Sequence, residues 1–114
     1  MVEASTIGFN SRYHSDAPER AEIDALTGDA LLEFGANWCG YCLAAKSHIR
    51  TAMLDCPQLL HIKVADGKGF ALGRSYGVKL WPTLIALRDG QERARLVRPG
   101  SSETVREFLA QLSN

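Results

Sequence analysis

Two cysteines three positions apart, Cys39 and Cys42, are the residues here whose type and spacing could do chemistry. A vicinal thiol pair can cycle between dithiol and disulfide, with the thiolate as nucleophile. On a regular helical turn, residues three apart hold their Cβ atoms about 5–6 Å from each other. A disulfide needs about 3.5–4.5 Å. The pair therefore closes only where a helix begins and the first cysteine lies half outside it. The sequence supplies such a start: the apolar run Ala30-Leu31-Leu32-Glu33-Phe34-Gly35-Ala36, then Trp38-Cys39-Gly40-Tyr41-Cys42, then a helical pattern from Leu43. Cys39 becomes the N-cap, its sulfur placed to accept the backbone N–H groups of Tyr41 and Cys42 at the positive end of the helix dipole. The expectation is a pKa of about 7 or lower for Cys39, against about 8.5 for a free thiol, with Cys42 as the buried resolving thiol. C-x-x-C is also half of many zinc sites, so the rest of the chain has to decide.

Glu33 is the only ionisable residue in the run from Ala30 to Ala36. A buried, charged carboxylate is costly, and such groups respond by raising their pKa. Glu33 is thus expected to be either a buried acid of raised pKa or a solvent-facing strand residue. Cys56 is expected to pack the end of the motif helix as a small hydrophobe, a regulatory or dimer-forming thiol being the alternative. His14, His48 and His61 have no ligand spacing relative to Cys39 and Cys42 and read as surface or satisfied residues. A zinc site would need a closed tetrahedral cluster; no metal is expected.

The elements that position these residues follow from periodicity and punctuation. Ile7 to Tyr13 holds a weak first strand. Asp16-Ala17-Pro18-Glu19 starts a helix, with Ile23 and Leu26 as its apolar stripe and Gly28 as its stop. Ala30–Ala36 is a buried strand by length and apolarity. The motif helix runs from Cys39 to Leu54, with Leu43, Ile49, Met53 and Leu54 read as its buried face and Cys56-Pro57 ending it. Leu59–Ala65 is a strand, and a short helix spans Phe70–Tyr76. Thr83–Leu87 and Glu92–Val97 form a hairpin about Asp89-Gly90. Ser102 caps a last helix whose stripe is Val105, Phe108, Leu109 and Leu112. The order β-α-β-α-β-α-β-β-α predicts an α/β domain, a mixed sheet covered by helices.

The chain has 114 residues, enough for one domain with a single core. Lys plus Arg and Asp plus Glu both number 13, which gives no electrostatic case for nucleic acid or an anionic membrane. No apolar run approaches the roughly 18–20 residues of a membrane span. The stretch Met1-Val2-Glu3-Ala4-Ser5-Thr6 has neither a basic nor an apolar leader segment. A cytoplasmic location is expected, or a periplasmic one if a signal has been removed. Three cysteines, two of them in one C-x-x-C, do not make a disulfide scaffold.

Taken together, W-C-x-x-C, Tyr76-Gly77-Val78 with Trp81-Pro82-Thr83, Asp89-Gly90, and Gly100 before the last helix resemble the thioredoxin family from about Ala30 to Leu112. The resemblance implies the thioredoxin fold and a cis-proline at Pro82 facing the cysteines, with the backbone before it pairing with bound substrate. Trp38, Gly40, Tyr41, Trp81 and Pro82 would then form the substrate-contacting surface around Cys39. It also implies that Glu33 is the family's buried acid, exchanging a proton with Cys42, and that Lys63 is its lysine partner. The sequence departs from the family at Gly40-Tyr41, where thioredoxins have Gly-Pro and periplasmic disulfide isomerases a similar pair. It departs again at Ser47, usually a proline, and at Gly35, usually a tryptophan. Residues between the cysteines tune redox poise, so a potential of roughly −190 to −250 mV is expected, against about −270 mV for thioredoxin.

The resulting expectation is a thiol–disulfide oxidoreductase acting on protein disulfides through Cys39 and Cys42. It would need no bound cofactor, act as a monomer, and be recycled by a thioredoxin reductase or another dithiol donor. A periplasmic oxidant or isomerase, and a non-catalytic redox-sensing or binding module on the same fold, are the alternatives.

Overall fold

A computed structural model describes residues 3–113; Met1 and Val2, which open the stretch read for a leader, lie outside them. The elements are β1 (Ser5–Ile7), α1 (Arg20–Asp24), β2 (Asp29–Gly35), α2 (Gly40–Met53), β3 (Leu60–Ala65), α3 (Ala71–Ser75), β4 (Thr83–Arg88), β5 (Gln91–Val97) and α4 (Ser102–Leu109), followed by a 3₁₀ turn at Ala110–Ser113. The strands form one five-stranded sheet in the order β1-β3-β2-β4-β5. β2 and β3 are parallel, joined by α2 as crossover, and the other pairings are antiparallel. Among the described residues, no helix is long and apolar enough to cross a membrane.

The central strand β2 is buried along almost its whole length, because both faces of the sheet are covered. Alternation along the strand then sorts its side chains. Ala30, Leu32 and Phe34 join Ile62, Val64, Ile85 and Leu87 under α1 and α3, where Ile23, Leu72 and Tyr76 complete one core. Leu31 points the other way, with Leu84 and Ala86, into a second core built from α2 and α4. Glu33 and Gly35 share the parity of Leu31, which aims them at the α2 side. His61 and Lys63 of β3 stand directly opposite Leu31 and Glu33 in the parallel register.

The boundaries differ from expectation in instructive ways. The first helix starts later than Asp16–Glu19 because Glu19 is the N-cap, closing a reciprocal capping box with Glu22. The last helix is capped by Ser101 rather than Ser102, its hydroxyl accepting the Thr104 N–H at 3.1 Å. On α2, Leu43 and Leu54 are exposed; the buried stripe is Cys42, Ala45, Ile49, Ala52 and Met53. Two of those positions are alanines, and they let α2 lie close against the sheet and α4. Of the strand expected over Ile7 to Tyr13 only Ile7 is in β1; the Gly8 N–H still donates to the Leu59 carbonyl, and His14 makes an isolated parallel bridge to Val64. At the β4–β5 hairpin, Asp89 (φ 50°) and Gly90 (φ 76°) both take the left-handed conformation, as a two-residue hairpin turn requires. A side chain at Gly90 would run into the Asp24 carbonyl.

Candidate active site

The carboxyl end of β2 delivers the chain into a turn from which α2 starts, and the cysteines sit there. Cys39 is the N-cap, with extended backbone (φ −79°, ψ 123°), and Gly40 is the first helical residue. Cys39, Cys42, Ala36 and Tyr13 cluster together, with Trp81 and Ala65 packed against them. Both cysteines are free thiols, so this is the dithiol form.

The two thiols are displaced in opposite directions. Burial alone pushes Cys39 up, but it is outweighed by a hydrogen bond with the Cys42 thiol, the backbone N–H groups of Cys42 and Tyr41, and the positive charge of Arg98. Cys39 therefore lies below its ordinary 9.0. Its side chain makes no full capping hydrogen bond, so the expected cap acts as a field of nearby amide dipoles. Cys42, one turn inside, is pushed by burial up to about 11, against the pull of the Ala36 and Tyr13 hydrogen bonds.

Around Cys39 the surface is apolar and open. Trp38, Tyr41 and Leu43 are exposed, and the Trp38 and Trp81 rings meet edge-to-face at 5.6 Å. The Trp81–Pro82 bond is cis. The Trp81 indole N–H donates to Asp66 Oδ2 at 2.9 Å. Trp38, Gly40 and Tyr41 are exposed beside Cys39 and Trp81 is half-buried against Trp38, whereas Pro82, expected on the substrate-contacting surface, is buried. Arg98, which the sequence reading did not single out, joins them from the loop after β5. Its Nε donates to the Trp81 carbonyl at 2.8 Å and its backbone N–H to the Pro82 carbonyl at 3.0 Å.

Beneath Cys42 lies a buried polar cluster. Glu33 is 1% exposed, so it does not face solvent. Its Oε1 meets His61 Nε2 at 2.9 Å, and its Oε2 lies 3.8 Å from Lys63 Nζ and accepts the Tyr13 hydroxyl. His61 Nδ1 accepts the Asn10 backbone N–H at 2.9 Å, so in the neutral ring Nε2 carries the proton and donates to Glu33. These partners reverse the expected direction of the Glu33 pKa. Burial raises it, but the His61 hydrogen bond, the Lys63 and His61 charges and the Tyr13 hydrogen bond together carry it below the ordinary 4.5. Glu33 is a well-solvated carboxylate whose solvent is protein. Lys63, also buried, is lowered by that burial despite the Glu33 charge.

Besides Arg98, the sequence does not announce His61 and Tyr13 outright as site residues. His61 had a usable signal: it shares the parity of Lys63 on a strand parallel to the one bearing Glu33. Tyr13 had none, since it comes from an irregular segment. Cys56 packs partly buried against the α2–α4 core, as a small hydrophobe would.

Comparison with known proteins gives the same architecture. The thioredoxin family model matches residues 13–111. A thioredoxin of Chlamydia pneumoniae is 32% identical over 88 residues, covering 77% of this chain and 82% of its own. Thioredoxin 1 of Synechococcus elongatus is 30% identical over 78 residues, covering 68% of this chain and 73% of its own. The structure of reduced thioredoxin 2 from Pseudomonas aeruginosa PAO1 superposes with a TM-score of 0.82 at 49% identity, over 91% of this chain and 96% of that one. With two cysteines at a helix start, a cis-proline just before β4 and a family match over most of its length, the chain belongs to the thioredoxin family and is a thiol–disulfide oxidoreductase of protein disulfides.

Proposed function

We propose that the protein works as a cytoplasmic, monomeric disulfide reductase, with Cys39 as attacking and Cys42 as resolving thiol. The observation that carries this assignment is the opposite displacement of two thiols one helical turn apart. At neutral pH the lowered thiol is the better nucleophile, and although only 7% exposed it lies between the exposed Trp38 and Tyr41. The Cys39 thiolate attacks a substrate disulfide and forms a mixed disulfide; Cys42, on losing its proton, attacks Cys39 and releases the dithiol substrate. Glu33 is the acceptor for that proton. Substrate backbone would pair with the segment before Pro82, over the Trp38–Trp81 shelf, with Gly40 and Tyr41 on the opposite rim. Recycling would come from a thioredoxin reductase or another dithiol donor. The unpaired Cys56 thiol suits a reducing compartment.

The test is insulin reduction with dithiothreitol, paired with the reduction potential from a glutathione titration and fractionation of the full-length gene product. A potential between roughly −190 and −250 mV, catalysis of insulin reduction and a cytosolic location are expected. A potential near −120 mV, as in the strongest oxidants of this fold, would assign it to disulfide formation instead.

A further inference from the structure

We propose that the Tyr13 hydroxyl is the proton bridge between Cys42 and Glu33, taking the Cys42 proton as it passes its own to the carboxylate. The inference rests on the reading of Cys42 as the resolving thiol. Its ground is the arrangement at Gly35. That residue points toward α2 from the strand position between Glu33 and the motif, and it has no side chain. A Cβ built there would fall 2.6 Å from the Cys42 sulfur and 2.7 Å from the Tyr13 hydroxyl oxygen. The phenol therefore fills the space that a side chain at position 35 would occupy, with its oxygen beside both the thiol and the carboxylate. It donates to Glu33 Oε2 and lies across the space left by Gly35 from the Cys42 sulfur.

Tyr13 is also fixed from both sides. Its backbone N–H donates to Asn37 Oδ1 at 2.9 Å, and Asn37 Nδ2 donates back to its carbonyl at 3.0 Å. The next residue, His14, is tied to β3 through Lys63 and Ala65. Burial and then the Glu33 charge hold the Tyr13 hydroxyl well above its ordinary 10.0. It does not become a base by itself; it can only accept one proton while giving up another.

In the mixed disulfide the Cys42 S–H proton moves to the Tyr13 oxygen as the Tyr13 proton moves to Glu33 Oε2. Cys42 sulfur then attacks Cys39 sulfur, the bond from Cys39 to the substrate sulfur breaks, and its electron pair leaves on the substrate thiolate. The Cys39–Cys42 pair is oxidised by two electrons and the substrate disulfide is reduced by two. Glu33 returns its proton through Tyr13 to solvent in a cleft of about 230 Å³ lined by Tyr13, Cys42, Lys46 and Lys63.

The experiment is a single-turnover reaction of the reduced protein with a disulfide peptide, quenched with acid, the mixed disulfide being counted by mass spectrometry. In Tyr13→Phe, attack by Cys39 should keep its rate while resolution slows by about 10²-fold. Glu33→Gln should slow the same step, and the double variant should be no slower than the slower single one. Resolution at the wild-type rate in Y13F overturns the bridge, as does a double variant whose losses multiply. Tyr13→Met, which fills the gap without a hydroxyl, gives the same reading if Y13F does not fold. If the wild type forms no mixed disulfide at Cys39, the assignment of the cysteines fails instead.

Discussion

The Arg98 guanidinium carbon sits 3.6 Å from the centre of the Tyr41 ring, so the residue between the cysteines that departs from the family pattern is covered by a cation. The same cation helps to lower the Cys39 thiol and holds the carbonyl of Trp81. Removing its charge in Arg98→Met should raise the Cys39 pKa. Iodoacetamide labelling at pH 6.5 should slow, because less of the thiol is ionised there. An unchanged labelling profile against pH would show that the amide dipoles alone set this thiol.

Tyr41 should also tune the redox poise. Tyr41→Pro restores the family's usual dipeptide and removes the ring under Arg98. The potential should move in the reducing direction by tens of millivolts, where about 30 mV is tenfold in equilibrium constant. A glutathione titration measures it; equal potentials would sever the dipeptide from the poise.

The two cysteines should fail differently. Cys39→Ser should abolish exchange, while Cys42→Ser should still attack and accumulate mixed disulfides. In the reduced wild type, iodoacetamide should label Cys39 first, as peptide mapping would show. Faster labelling of Cys42 would invert the roles.

Glu33 gives the pH prediction. Its folded pKa is lowered, so the unfolded chain binds its proton more readily and the group stabilises the fold above about 4.3. That contribution is lost as pH falls through the lowered folded value. Glu33→Gln should therefore be destabilising at pH 7, by about 3 kcal/mol as for a broken buried ion pair, because Lys63 loses its carboxylate. The gap to wild type should narrow below pH 4. Urea denaturation at pH 7 and pH 3.5 tests it; a variant as stable as wild type at pH 7 would contradict the paired state of Glu33.

Gly90→Ala should cost about 1–3 kcal/mol, from its left-handed backbone and the crowding on Asp24. Insulin reduction at 25 °C should be retained, since the hairpin lies away from the cysteines. Thermal unfolding would show the loss.

Much of this architecture was legible because it is written locally. Cys39 to Cys42 at a helix start, the apolar run before them and the Asp89-Gly90 turn each carry their meaning within a few residues. Glu33 marks where local reading stops. Its burial followed from Leu31, Leu32 and Phe34, yet the direction of its pKa depends on His61, Lys63 and Tyr13, which lie 20 to 30 positions away in the chain. The apolar spacing that predicts Leu43 and Leu54 on the buried face of α2 fails, and both are exposed. The tight packing of α2 made Ala45 and Ala52 the buried positions instead. Arg98 joins the site from a left-handed backbone at φ 52° in the loop after β5, far in the chain from the cysteines.

The shared volume of Gly35 and Tyr13 makes the reactive centre a composite of two stretches of chain. A chimera that exchanged residues 3–15 with those of a relative carrying a bulky residue at position 35 would lose more than an edge strand. It would leave a hole beside Cys42 in one parent background and a steric collision in the other. The two positions form a lock whose halves must be transplanted together, and the segment before the first helix is as much a part of this enzyme's inheritance as the cysteine motif.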